Sequence, residues 1–259
     1  MVNTDLLDLL PPEPERNNRR ILDVSRMRKR EERARAQLPE LMSKFETERR
    51  RKFEEDAQRK WDETIPRRWK KASLSLFETG VSSKGRQIVN DIIKGNPLSS
   101  AVVWSPTVGN GKTFFCYALL NELRALGVAT VSNTGFHTES DIADIAMSGF
   151  ERDEKLEDLV HGKKFLFIDD VSNRSQYGWK NTNGSNRESV WFDTINYAYS
   201  NGLFVFITSN KDSNSIRSFM GEEAFNRLWH LTSNGSHFIR MDRRSVRGDI
   251  ARKMENYYH

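Results

Sequence analysis

The chain has 259 residues, 30% of them charged, and a formal net charge of +5. That length accommodates one large domain, or one domain with an appendage. No apolar run approaches the roughly eighteen residues needed to cross a membrane, and the single cysteine, Cys116, excludes an internal disulfide and a thiolate zinc cluster.

The opening MVNTDLLDLLPPEPE is acidic and proline-rich, unlike a secretory signal. The expected compartment is the reducing cytoplasm of a bacterial cell, with phage or cellular origin left open. Residues 1–72 hold 20 Lys and Arg against 15 Asp and Glu, so the whole net charge lies there and the remainder is neutral. From Arg19 to Trp61 the composition is helical and free of glycine. Leu38, Leu41, Met42 and Phe45 share the spacing of one helix face, and Phe53 and Trp61 continue it. Pro39 is expected to separate two helices or to begin the second. So thin a stripe predicts a segment that packs on a partner or forms a small helical domain, although a charge run alone also describes a solvated helix. TIPRRWKKASLSLF reads as a linker.

Beyond it the texture changes. AVVW, VATVSN, KFLFIDD, LFVFITSN and SHFIRM are short apolar runs expected as strands. Helix-like stretches lie between them at Lys112 to Leu126, Ser140 to His161, Arg187 to Asn201 and Glu222 to Leu231. This alternation predicts an α/β fold with a central parallel sheet covered on both faces. Ser172 to Asn186 is polar and rich in turn residues, and is expected to be an exposed loop.

Three motifs fall at carboxyl ends of expected strands, the edge where open α/β sheets bind ligands. The first is SPTVGNGKTFF, between AVVW and a helix. A phosphate-binding loop requires Gly-Lys-Thr there, with a glycine six residues before the lysine; Pro106 stands at that position. Pro106, Thr107, Val108, Gly109, Asn110, Gly111, Lys112, Thr113 and Phe114 are the candidate nucleotide contacts. Gly109 and Gly111 let backbone amides face phosphate oxygens, the helix N-terminus adds positive potential, Lys112 reaches the β- and γ-phosphates, and Thr113 ligates Mg²⁺. The second motif is KFLFIDD, in which Asp169 is the expected Mg²⁺ ligand and Asp170 the residue that orients the attacking water. The third is the polar tip Asn210 of LFVFITSN, whose amide can bind that water or the γ-phosphate. Each alone also reads as an ordinary turn. Their convergence points to ATP. Arg227 is either a surface side chain with a buried stem or a finger acting on a neighbour's ATP, and Arg243, Arg244 and Arg247 either offer a contact to phosphate in the same chain or begin a solvated helix.

The order of phosphate loop, IDD, ITSN, FNRL and SVR resembles the AAA+ ATPases of the DnaC-type replicative helicase loaders and their relatives, the insertion-sequence transposition helper ATPases. The resemblance covers roughly Pro66 to Arg252, with PRRWKKASLSLF similar to the family's lead-in. It implies an AAA+ P-loop core over 66–259 after a charged helical partner-binding domain over 1–65. It also implies catalytic roles for Asp170, the sensor Asn210 and the trans arginine finger Arg227, and nucleotide contact by Arg247, where Val246 replaces the family's aromatic. The activity implied is ATP hydrolysis, slowed if Pro106 distorts the loop, with ATP and Mg²⁺ as cofactors. The implied partners are a hexameric replicative helicase gripped by the N-terminal domain, single-stranded DNA, and further copies of the chain through AAA+ interfaces. A transposition helper acting on duplex DNA, and a nucleotide-binding scaffold with little hydrolysis, remain as alternatives.

Overall fold

A computed structural model describes residues 24–172 and 184–241, with side chains from residue 30 on except at 34, 184 and 185. The acidic opening, most of the polar loop, and Arg243, Arg244 and Arg247 lie outside the described residues. The chain divides into a unit ending at Glu55 and a second beginning at Asp56.

The described part of the first unit is helical, within α1 (Val24–Thr64). This helix continues through Pro39, contrary to the expected break. Proline removes one N–H from the ladder, but Pro39 and Arg35 are both exposed, so water can serve the carbonyl left without a donor. Pairs at helical spacing support the helix: Lys44 with Glu40 at 2.7 Å, Arg50 with Glu54 at 3.0 Å, and Arg51 with Glu48 at 2.7 Å and Glu55 at 2.6 Å. Such exposed pairs contribute only about 0.3–0.5 kcal/mol each. Leu38, Leu41, Met42, Phe45 and Phe53 are all exposed, Phe53 to 74%.

The second unit opens with buried Trp61 and Ile65. The segment read as a linker is instead packed: 3₁₀ turns at Arg67–Trp69 and Leu74–Leu76 bury Ala72 and Leu74. α2 (Thr79–Ile93) follows, then β1 (Ala101–Trp104), α3 (Lys112–Ala125) and β2 (Thr134–Thr138). The sequence expectation put this strand at VATVSN. There, Asn133 Oδ1 accepts the Thr130 N–H at 2.7 Å and Asn133 Nδ2 donates to the Val128 carbonyl at 3.1 Å, closing a turn that competes with extended pairing. The helix expected over Ser140 to His161 is two, α4 (Glu139–Met147) and α5 (Arg152–Val160), broken at Gly149, where φ is +58°. β3 (Phe165–Val171), α6 (Gly184–Asn201), β4 (Phe204–Ser209), α7 (Ser213–Met220), α8 (Glu222–Leu231) and β5 (Phe238–Arg240) complete the unit.

All five strands are parallel, in the order β2-β3-β4-β1-β5. Alternation along the strands sorts the core into two layers. Phe165, Phe167, Phe204, Phe206, Ala101 and Val103 face α2, α3 and the lead-in. Leu166, Ile168, Val205, Ile207 and Val102 face α4 to α8. Coverage of both faces is why these strands read as unbroken apolar runs.

Candidate nucleotide site

The order of strands fixes where a ligand can sit. From β1 the chain crosses by α3 to the far edge strand β2; from β4 it crosses by α7 and α8 to the opposite edge, β5. The reversal makes a crevice at the carboxyl ends of adjacent β1 and β4. The loop after β1 and the tips of β3 and β4 meet there.

Ser105 anchors the loop: its N–H donates to the Ser209 carbonyl at 3.1 Å, and its Oγ accepts the Thr107 N–H at 3.1 Å. Pro106 sits within this turn, exposed, where its missing donor leaves the Ser105 anchors intact. Gly109 and Gly111 have φ of +83° and +95°, a region closed to most side chains. Gly111 caps α3, so the first amides of that helix open onto the crevice. Lys112 is 7% exposed, and its Nζ donates to the Thr107 carbonyl and to Asn110 Oδ1, each at 3.2 Å. Asn110 Nδ2 in turn donates to the Met241 carbonyl at 2.8 Å, tying the loop to the end of β5. There Met241 N–H donates to the Trp104 carbonyl at 2.9 Å, and the Arg240 guanidinium lies 5.2 Å from the centre of the Trp104 ring. Phe114 is 2% exposed, its ring packed against Trp69 and Phe77, so its side chain belongs to the core.

At the rim, Thr113 Oγ1 donates to Asp169 Oδ1 at 2.9 Å, and Thr208 Oγ1 donates to the same oxygen. Burial raises the Asp169 pKa above the usual carboxylate range; the two hydroxyl donors oppose this, the neighbouring Asp170 charge adds to it, and the charge of Arg68 lowers it slightly. Asp170 has φ of +65°, which costs of order 1–3 kcal/mol for a non-glycine residue. Its position follows from a bulge. Ile168 pairs with Ile207 and Val171 with Ser209, so Asp169 and Asp170 together oppose the single residue Thr208. Asn210 Nδ2 reaches Asp170 Oδ1 at 3.4 Å, whereas Asn210 Oδ1 is buried with no hydrogen-bond partner.

These residues fit an Mg²⁺–nucleotide. A hydroxyl and a carboxylate already in contact are hard oxygen donors of the kind Mg²⁺ takes, and the orphaned Asn210 acceptor matches the O–H of a water beside Asp170. Thr113, Asp169, Asp170, Lys112 and Asn210 are thus brought together. Arg227 is half-buried on α8, its guanidinium 4.5 Å from the centre of the Phe192 ring. Arg247 lies outside the described residues. Thr208 is a site residue the sequence reading passed over; its only signal is a threonine opposite the two acids at a strand end.

No family model and no curated protein matches the chain. Among solved structures it is similar to DnaI, at 18% identity and a TM-score of 0.51, over 70% of this chain and 94% of that one. It is similar to domain III of the Thermotoga maritima replication initiation protein DnaA, at 17% identity and a TM-score of 0.52, over 73% and 75%. It is also similar to a replication initiator DnaA bound to AMPPCP and single-stranded DNA, at 14% identity and a TM-score of 0.50, over 73% of this chain and 56% of that one. At such identities the likeness is one of fold: the second unit shares with these proteins its five-stranded parallel sheet covered by helices on both faces, with a helical region before it.

Proposed function

We propose that this chain is an ATP-dependent loader that grips a hexameric replicative helicase and delivers it to single-stranded DNA. The observation that carries the nucleotide half is the meeting of Lys112, Thr113, Asp169, Asp170 and Asn210 at one rim. Lys112 and the amides at the start of α3 bind phosphate. Thr113 and Asp169 would hold Mg²⁺, which would neutralise charge on the bound phosphates. Asp170 takes a proton from, and with Asn210 orients, the attacking water. Arg227 acts on the ATP of a neighbouring copy, and Arg247 contacts phosphate within its own.

Residues 1–65 supply the partner-binding domain and 66–259 the ATPase core, into which the end of the first segment packs through Trp61 and Ile65. The exposed Leu38, Leu41, Met42, Phe45 and Phe53 on an otherwise charged helix support the first half of this division. The extent of the match to DnaI, and the single-stranded DNA bound by one structural neighbour, support the replication reading over transposition. Filter binding of single-stranded and duplex DNA with and without ATP tests it. The loader predicts ATP-stimulated, salt-sensitive preference for single strands. An ATP-dependent preference for duplex would instead identify a transposition helper, and absence of DNA binding a scaffold.

A further inference from the structure

Two carboxylates side by side at a strand end must be aimed differently if one is to hold a cation and the other a water. By the alternation of β3, Asp169 falls on the face of Phe165 and Phe167, toward α3, where Thr113 begins the helix. The following residue would ordinarily turn to the opposite face, among Leu166 and Ile168. The bulge prevents this, and one side chain on β4 is hydrogen-bonded to both of its residues. Thr208 is 1% exposed and falls on the α3 face with Phe204 and Phe206. Its Oγ1 donates to Asp169 Oδ1 and accepts the N–H of Asp170 at 2.9 Å. That amide belongs to the extra residue of the bulge, which ordinary pairing between β3 and β4 leaves over.

We propose that Thr208 is the positioning residue of this site: one hydroxyl orients Asp169 toward the cation and, by holding the Asp170 amide, turns the Asp170 carboxylate to Asn210. Both halves need a group that donates and accepts at once, as a hydroxyl does and a methyl does not. Among the described residues, both hydroxyl donors to Asp169 use Oδ1, so Oδ2 is the oxygen left for a cation. The assignment rests on the ATPase reading for its chemistry but not for its geometry.

The test compares Thr208→Val, nearly the same shape without the hydroxyl, with Thr208→Ser, which keeps the hydroxyl and loses the methyl, in the full chain. The first measurement is hydrogen exchange at the Asp170 amide without nucleotide or metal. Losing a buried hydrogen bond should speed exchange on the order of tenfold in Thr208→Val, while Thr208→Ser stays near the parent. The second is affinity for a fluorescent ATP analogue with and without Mg²⁺. Thr208→Val should keep the metal-free affinity and lose the gain from Mg²⁺, and Thr208→Ser should keep both. If Thr208→Val does not fold, Thr208→Cys, with a weak sulfur donor, should show the same changes in reduced size. Parental exchange at Asp170 in the valine or cysteine variant, or equal impairment of valine and serine variants, would overturn the assignment. Because the exchange measurement needs no nucleotide, it tests the clamp even in a chain that binds none.

Discussion

Asn121, in the middle of α3, receives the indole N–H of Trp61 on its Oδ1 at 3.0 Å. The same amide turns its Nδ2 outward to the carbonyls of Trp69, Lys70 and Ala72, at 3.2, 3.3 and 2.9 Å. One side chain on the phosphate-loop helix thereby fastens both the end of α1 and the lead-in that follows it. Around it, Trp69 stacks on Tyr117 at 5.8 Å and Tyr117 on Phe136 at 5.9 Å. Asn121→Leu, close in volume, should leave the Trp61 indole and a carbonyl unpaired and destabilise the second unit by ~2–3 kcal/mol. Urea denaturation followed by tryptophan fluorescence measures this; an unchanged midpoint would show that the amide network contributes nothing net.

Lys112→Ala should abolish detectable binding of a fluorescent ATP analogue while leaving the melting temperature within a few degrees of the parent. The ammonium is the charged group the loop aims inward, and its removal leaves only neutral amides for the phosphates. Parental affinity would remove the basis of the ATPase reading.

Arg227→Ala should reduce hydrolysis by on the order of 10³-fold, as loss of a trans arginine does in related chemistry, without weakening ATP affinity comparably. Its guanidinium rests on Phe192, so the test needs a control for folding, given by the melting curve. Mixing Arg227→Ala with Asp170→Asn should restore activity, because some interfaces then join an intact Arg227 to an intact Asp170. No recovery at any ratio, with both variants assembling, would argue for sites complete within one chain.

Phe45→Asp with Phe53→Asp should eliminate capture of a replicative helicase while leaving ATP binding and melting of the second unit unchanged. Both rings are exposed, at 67% and 74%, so neither is buried by any of the described residues. Undiminished capture would move the docking surface elsewhere.

The alternation of strands and helices, the layered core and the three rim motifs were legible because each depends on local pattern: apolar runs for doubly covered strands, and a strand-to-helix glycine turn before Lys112. What escaped depends on tertiary partners. α2 contains polar Ser82 and a glycine, Gly85, buried in its interior, the latter so close to Leu74 that an added Cβ would lie 2.6 Å from it. A helix whose glycine serves close packing has no sequence pattern of its own. β2 was misread because Gly135 weakens the strand signal of Thr134–Thr138, whereas the valines before it are good strand formers held in a turn by Asn133. Pro39 predicted a break on the premise that a lost N–H is costly, which weakens where water replaces the partner. Asp169 and Asp170 were found as a pair with separate expected roles; what aims them differently was not legible, since it comes from a bulge that only the pairing with β4 defines.

Trp104 closes β1 immediately before the phosphate loop, beneath the Arg240 guanidinium and joined through its carbonyl to Met241, whose own carbonyl holds Asn110. An indole's emission responds to a cation over its face, and this cation is carried by the short strand to which the loop is tied. The chain therefore contains its own optical reporter. Any ligand that draws Lys112 away from Asn110 should relax this chain of contacts, and the part of the chain's emission that Trp104→Phe removes should then shift.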